Sequence, residues 1–176
     1  MTRIILYIAQ SIDGYIAGPD GGVGWLDEFN NGQEDYGYKE FIKRIDSNIQ
    51  GSNTYKQVLD FDIPWPYKSK SHIITNQKLK KPKNSDIEFH SGDIKNIVEK
   101  IKKTTKKDIW LIGGASLTQS FLKESLIDEM IIFTMPILLG SGISLFGTSG
   151  SPIKATLKSS EKYKSGVVQN HYFIKK

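Results

Sequence analysis

Three glycine-bearing segments, each directly after a short apolar run, hold the residues best suited to gripping a ligand. The first is Trp110-Leu111-Ile112-Gly113-Gly114-Ala115-Ser116. Two glycines at a strand end let the main chain approach a ligand closely. A helix starting behind them offers unpaired N–H groups and a positive dipole end to a phosphate. The segment is not G-x-G-x-x-G, because Ala115 to Gln119 contains no glycine, and its plain reading is a tight turn that needs positive φ. The second segment, Gly51-Ser52-Asn53-Thr54-Tyr55, repeats the arrangement. Here Ser52, Asn53 and Thr54 are either helix caps or hydrogen-bond partners for a second phosphate. The third runs from Ser11 to Trp25 and carries five glycines between residues 14 and 24. It reads as a loop that closes over substrate and excludes water, or as a surface connection built on the Asp13-Gly14 and Asp20-Gly21 turns.

Other routes to chemistry are closed or weak. The chain has no cysteine, which removes disulfides, thiolate metal sites and cysteine nucleophiles. His72, His90 and His171 stand apart with no second ligand at metal spacing, so each is read as structural and no metal is expected. There is no G-x-S-x-G elbow, no H-E-x-x-H and no Walker loop. Of the three tryptophans, Trp25 alone falls inside a candidate ligand loop; Trp65 and Trp110 are expected in the core.

The apolar pattern supplies the elements that must position these segments. Ile4 to Ala9 is a continuous apolar run, the mark of a strand buried on both faces. Tyr38, Phe41, Ile42 and Ile45 have helical spacing, a strand ends at Gln50-Gly51, and Tyr55, Val58 and Leu59 predict a short helix behind it. Short strands are expected at Ser71 to Thr75 and Ile87 to His90, with a loop at Pro64-Trp65-Pro66 between helix and strand. Ile94, Ile97, Val98 and Ile101 mark one face of a helix over 94–104. Ile109 to Ile112 is another buried strand, Gly113-Gly114 opens a helix carrying Leu117, Phe121 and Leu122, and Met130 to Met135 is a further strand. Residues 153–163 and 166–174 read as a closing hairpin. Strands alternating with helices imply right-handed crossovers, a largely parallel sheet with helices on both faces, and ligands at the carboxyl ends of the strands. The fold class is therefore α/β, a three-layer domain with an antiparallel C-terminal hairpin.

Length and charge bound the rest. The 176 residues make one domain, 1–176, large enough to fold on its own core. Lys plus Arg number 24 against 19 Asp plus Glu, a net charge of +5. Only Arg3 and Arg44 among those cations are arginines, and the lysines of 95–107 fall off the apolar face of a helix. A nucleic-acid reader leans on arginine, so nucleic acid is not expected as a partner. No run reaches the ~18 apolar residues of a membrane span, and the apolar part of the N-terminus is short for a signal peptide. The expectation is a soluble cytoplasmic protein without a membrane partner. A homodimer is expected, with apolar edge surface supplied by the C-terminal hairpin and Leu126 to Met135.

Taken in order, the segments resemble the dihydrofolate reductase superfamily, and more narrowly its bacterial branch related to the reductase domain of riboflavin biosynthesis. The resemblance runs nearly end to end. S-I-D-G-Y-I-A at 11–17 resembles that branch's S-x-D-G-x-I-A, and G-P-D-G-G-V-G-W at 18–25 the flexible loop and tryptophan beside the nicotinamide site. G-S-N-T-Y at 51–55 is similar to G-R-x-T-Y, and I-I-T-N at 73–76 to the adenosine-side strand end. I-G-G-A-S-L at 112–117 resembles the pyrophosphate turn, followed by L-I-D-E-M at 126–130 and P-I-L-L-G-S-G-I-S-L-F at 136–146.

The resemblance implies a single dihydrofolate reductase-like domain that carries hydride from NADPH to a C=N or C=O bond of a small heterocycle. The best-defined substrate is 5-amino-6-(5-phosphoribosylamino)uracil. Gly113, Gly114, Ala115 and Ser116 would hold the pyrophosphate, and Gly51, Ser52, Asn53 and Thr54 the adenosine-side phosphate. Thr75 and Asn76 would flank the adenine ribose, while Ala9, Ile16 and Ala17 pack on the nicotinamide. Trp25 and Gly140 would contact substrate. Two departures bear on the cofactor: Ser52 and Asn76 stand where the family carries arginines for the 2′-phosphate, so NADH is open as an alternative donor. A third bears on the proton donor. The family's buried carboxyl, counted from Trp25, falls on Asn30, which leaves Asp13, Asp27 and Asp35 as the candidate catalytic acids. Dihydrofolate reduction proper and a non-catalytic nucleotide-binding protein on the same scaffold are the competing readings.

Overall fold

In a computed structural model, described here over residues 2–30, 32–147 and 152–175, the chain opens with strand β1 (Ile4–Ser11) and the short β2 (Tyr15–Ala17). A 3-10 helix (Gly24–Phe29) and helix α1 (Tyr38–Lys43) lead to β3 (Ile45–Gly51), α2 (Ser52–Asp60), β4 (Lys70–Ile74) and β5 (Ile87–His90). Then come α3 (Ile94–Thr104), β6 (Asp108–Gly113), α4 (Ala115–Lys123) and β7 (Glu129–Met135). The two-residue β8 (Ile143–Ser144) precedes the closing hairpin of β9 (Ala155–Lys162) and β10 (Val168–Ile174).

Eight strands form one sheet in the order β5-β4-β3-β6-β1-β7-β10-β9. The first six are mutually parallel; β10 runs antiparallel to β7, and β9 antiparallel to β10. The architecture matches the expected α/β class, with the hairpin closing one side. Strand parity sends each central strand's residues to two apolar layers. Ile4 and Leu6 of β1, Ile109 and Leu111 of β6, and Met130 and Ile132 of β7 pack with Ile97, Val98 and Ile101 of α3 and Phe121 and Leu122 of α4. Ile5 and Tyr7, Trp110, Ile131 and Phe133 point the other way, onto Phe29 and Phe41. Helix α3 starts at Asp93, whose carboxylate accepts the Asn96 N–H at 2.9 Å, and its apolar stripe is the one its spacing predicts.

Charge is concentrated at the amino ends of the strands. Glu129, with its side chain fully buried at the start of β7, accepts hydrogen bonds from His171 (2.8 Å) and Arg3 (2.5 Å) and lies 3.4 Å from Arg44. Arg44 also pairs with Asp108 at 2.8 Å. Burial alone would raise the Glu129 pKa; the His171 and Arg3 hydrogen bonds and the Arg44 charge hold it down at about 2. The carboxyl ends of the strands are left free for other work.

Three sequence expectations are corrected. The Tyr38–Ile45 periodicity is shared between two elements, because α1 stops at Lys43 and Ile45 already belongs to β3. Part of the glycine-rich loop is strand: β2 pairs antiparallel with β8. Leu126 to Met135 supplies no sheet edge, since β7 is flanked by β1 and β10. Trp65 and Trp110 pack on apolar clusters as expected: Trp65 lies with Tyr55 under β4 and β5, and Trp110 is buried in the layer that holds Phe29 and Phe41, where it also lines a cavity.

Candidate functional site

Strand order brings together what the sequence scatters. Along the carboxyl edge of the sheet, β4, β3, β6 and β1 are consecutive neighbours. Thr75-Asn76, Gly51–Thr54, Gly113–Ser116 and Ala9 therefore follow one another across the sheet, although their sequence order is 9, 51, 75, 113. Gln50 is in register with Gly113, so the two glycine turns sit side by side. A Cβ on Gly114 would lie 3.3 Å from Thr54 Oγ1, and one on Gly51 3.8 Å from the Gly113 carbonyl oxygen. Gly113 has φ +106°, which strains any residue with a side chain. The Gly113-Gly114 peptide is cis.

Both helices behind these turns begin bare. The N-cap positions are Gly51 for α2 and Gly114 for α4, and neither receives a side-chain cap bond. Their first-turn N–H groups thus point at the same rim with no side-chain cap among the described residues. Ser52 and Thr54 are half-buried there, and Asn53 and Ser116 are exposed. Gln50 is fully buried; its Nε2 donates to Asn48 Oδ1, while its Oε1 has no partner. A paired-phosphate ligand fits this cradle, because the rim offers donors on two adjacent helices and no side chain at the closest approach.

Next to the rim lies a cavity of about 610 Å³, within the range of small-molecule sites. Its floor is every second residue of three strands: Tyr7 and Ala9 of β1, Trp110 and Ile112 of β6, and Phe133 and Met135 of β7. Tyr7 stacks on Phe41 with ring centroids 4.1 Å apart, and Trp110 Nε1 donates to the Tyr7 carbonyl at 3.1 Å. Burial, then the neighbouring Tyr163, raises the Tyr7 phenol, which stays protonated and donates to the Tyr36 carbonyl at 3.2 Å. The opposite wall, residues 34–36, is pinned by the β9–β10 turn. Glu34 accepts the Lys164 and Ser165 N–H groups at 3.0 and 2.9 Å, and Tyr36 meets Tyr163 edge to face. The N–H of Ser165, more than any other contact, lowers the Glu34 pKa.

The three candidate acids separate. Asp35 lines the cavity, and its carboxylate accepts the Gly37 and Lys39 N–H groups at 3.3 Å each. Asp27 is exposed on the 3-10 helix, away from the cavity lining. Asp13 works as a brace: Ser11 Oγ donates to it at 2.5 Å, and the Leu139 and Gly140 N–H groups donate at 3.2 and 2.7 Å. The Ser11 bond is the main reason its pKa is lowered. Asn30 also lines the cavity. Gly140 is exposed and held by Asp13, and Trp25 packs against the cavity-side apolar layer with its Nε1 unpartnered. Neither belongs to the cavity wall. Ala17 is buried on β2, and Ile16 packs against the opposite layer.

The aromatic floor went unnoticed in the sequence, as did Glu34, Tyr36 and Lys39 of the far wall. A signal for the floor was present: Tyr7/Ala9, Trp110/Ile112 and Phe133/Met135 are i, i+2 pairs near the ends of three predicted strands. The histidines are also less isolated than their spacing suggests, because His72 and His90 touch across β4 and β5 at 2.9 Å. Burial lowers the His72 pKa to about 4.

The model of the RibD C-terminal domain matches residues 52–169. The Bacillus subtilis protein YwjB, itself uncharacterized, is 36% identical over 170 residues, covering 97% of each chain. A solved protein from Shewanella sp. PV-4, provisionally assigned to riboflavin biosynthesis, is 32% identical with a TM-score of 0.91, over 99% of this chain and 100% of that one. Dihydrofolate reductase from Enterococcus faecalis, solved with NADP(H), shares the fold at a TM-score of 0.68 and 14% identity, over 99% of this chain and 97% of that one.

Proposed function

The chain belongs to the RibD C-terminal domain family, and from that premise we propose that it is a nicotinamide-dependent reductase of a small heterocycle. One observation carries the reading: two glycine-fronted helix starts without side-chain caps stand side by side at the carboxyl edge of the sheet, next to an aromatic-floored cavity. A dinucleotide laid along that edge places its diphosphate on the Gly113-Gly114 and α4 side, with Gly51, Ser52, Asn53 and Thr54 beside it. Its adenosine end meets Thr75 and Asn76, and its nicotinamide end meets Ala9, with Ile16 and Ala17 behind.

When bound, the reduced nicotinamide supplies the hydride. The protein's residues do the remaining work. Tyr7, Trp110 and Phe133 give the cavity an apolar aromatic wall against which a heterocycle packs and from which water is displaced. Asp35 orients the polar edge of that ring and passes a proton from solvent to the atom beside the reduced carbon. Asp13 holds residues 139–140 in place, and Asp27 is left as a surface residue. Ser52 and Asn76 offer no guanidinium to a 2′-phosphate, so NADPH and NADH are both accepted, with NADPH favoured less than a hundredfold. The substrate class is an aminopyrimidine of the riboflavin route, 5-amino-6-(5-phosphoribosylamino)uracil being the first to try. We place the enzyme in the cytoplasm as a homodimer built on the exposed β9 edge, where Leu157 is 54% exposed.

The test is oxidation of NADPH, followed at the reduced-nicotinamide absorbance band, with aminouracil ribosides and dihydrofolate as substrates. Turnover with an aminouracil supports the proposal. Saturable NADPH binding with no turnover on any heterocycle would favour a nucleotide-binding protein, and faster turnover of dihydrofolate would move the substrate class.

A further inference from the structure

Two of the three histidines that stand apart in the sequence, His72 and His90, meet at the far edge of the sheet. In the parallel pairing of β4 with β5, His72 is in register with Glu88 and Ile74 with His90, which puts all three polar side chains on one face. His72 Nδ1 is 2.9 Å from His90 Nε2, and His90 Nε2 is 3.9 Å from Glu88 Oε1. One ligand atom from each of the three lies within 4.8 Å of the others. We propose that His72, Glu88 and His90 form a binding site for a divalent late transition metal, zinc being the commonest ion for such a set, which clamps edge strand β5 onto β4.

Two imidazole nitrogens that face each other at this distance share one proton, and a metal replaces it. A tetrahedral zinc with bonds of about 2.0–2.1 Å spans two nitrogens about 3.3 Å apart and sits off the line between them. The pair must therefore open by a few tenths of an ångström, and the rings, that of the less buried His90 above all, must tilt toward the ion. His72 is 2% exposed, and its other nitrogen, Nε2, has no hydrogen-bond partner. The ring's one polar contact is therefore the His90 nitrogen, and packing holds it there. Glu88 is half exposed, which leaves an entry path for the ion and room for water to complete the coordination. Imidazole with carboxylate is a ligand set suited to zinc, and copper(II) should bind at least as tightly.

Two cations oppose the ion: the charge of Lys100 bears on His90, and Lys70 competes for Glu88 directly. Lys70 Nζ pairs with Glu88 Oε2 at 2.7 Å, while Glu88 Oε1 faces His90. The His171–Glu129 pair is no rival site, since two arginines already neutralise that carboxylate. Clamping β5 would also firm the adjacent rim, because the His90 carbonyl accepts the Thr75 N–H at 2.8 Å. The site itself does not depend on the dinucleotide reading.

The experiment is titration of tag-free, chelator-dialysed protein with Zn²⁺ by calorimetry and with Co²⁺ by visible absorption, with circular dichroism to verify the fold. We expect one equivalent bound. The affinity should fall by at least about tenfold in His90→Gln, fall less in Glu88→Gln, and rise in Lys70→Ala, where the competing cation is gone. No saturable uptake by the folded wild type overturns the proposal, as does uptake unchanged in His90→Gln. Should that variant fail to fold, the partly exposed positions decide: affinity unchanged in both Glu88→Gln and Lys70→Ala overturns it.

Discussion

At the residue scale the account rests on what a single side chain adds or removes. Gly113→Ala forces a Cβ onto a φ of +106°, with Thr118 Oγ1 3.4 Å away. It should cost about 1–3 kcal/mol in chemical denaturation and weaken NADPH binding at least about tenfold, one such step being ~1.4 kcal/mol. Asp35→Asn should lower kcat about 100-fold, the small end of what a positioned acid contributes, with NADPH affinity essentially unchanged. An unaltered kcat would remove Asp35 from the proton path. Glu129 makes the complementary prediction for stability. Its pKa of about 2 in the folded state lies below the ordinary 4.5, so the unfolded chain binds the proton first as pH falls. Its contribution is complete above about pH 4.5 and drains away as pH drops toward 2. Glu129→Gln, which leaves Arg3 and Arg44 without their buried anion, should cost about 3 kcal/mol or more at neutral pH in urea melts. The gap from wild type should narrow in acid.

Elements explain which parts of this were legible beforehand. Ile4 to Ala9, Ile109 to Ile112 and Met130 to Met135 are apolar on both faces, and buried parallel strands need that, so they stood out. Asp93 and the Ile94/Ile97/Val98/Ile101 stripe made α3 equally plain. The two-residue β8 and three-residue β2 were not legible, because segments that short carry no periodicity and exist only through each other. Nor was the cavity: each glycine turn is local in sequence, whereas the row the turns form and the aromatic floor beside it need β4, β3, β6, β1 and β7 to be neighbours, a fact of topology. His72 and His90 were missed for the same reason. Asp13 is a candidate acid in the sequence, but it lies off the cavity lining, where its carboxylate accepts the amides of Leu139 and Gly140. Asp13→Ala should therefore speed hydrogen exchange at those two amides and leave the exchange of β1 and β7 unchanged. Equal exchange in both proteins would show that the brace is idle.

For the whole molecule, the division of labour is between the two ends of one sheet. The amino ends of β1, β6 and β7 are tied by an ionic knot, and the carboxyl ends are opened by glycine and lined by aromatic rings. Net charge of +5 favours approach of an anionic dinucleotide without choosing among them. Light scattering should show a dimer, and charge placed on the exposed edge strand β9 by Leu157→Lys should shift it toward monomer without lowering the melting temperature of the protomer. The most direct test of the central claim is a crystal structure of the protein with NADPH. The account predicts the diphosphate against the N–H groups of Gly114 to Ser116, the adenosine beside Thr75 and Asn76, and the nicotinamide at Ala9 facing the aromatic floor. Density for the dinucleotide on any other face of the sheet, with this rim empty, would contradict it.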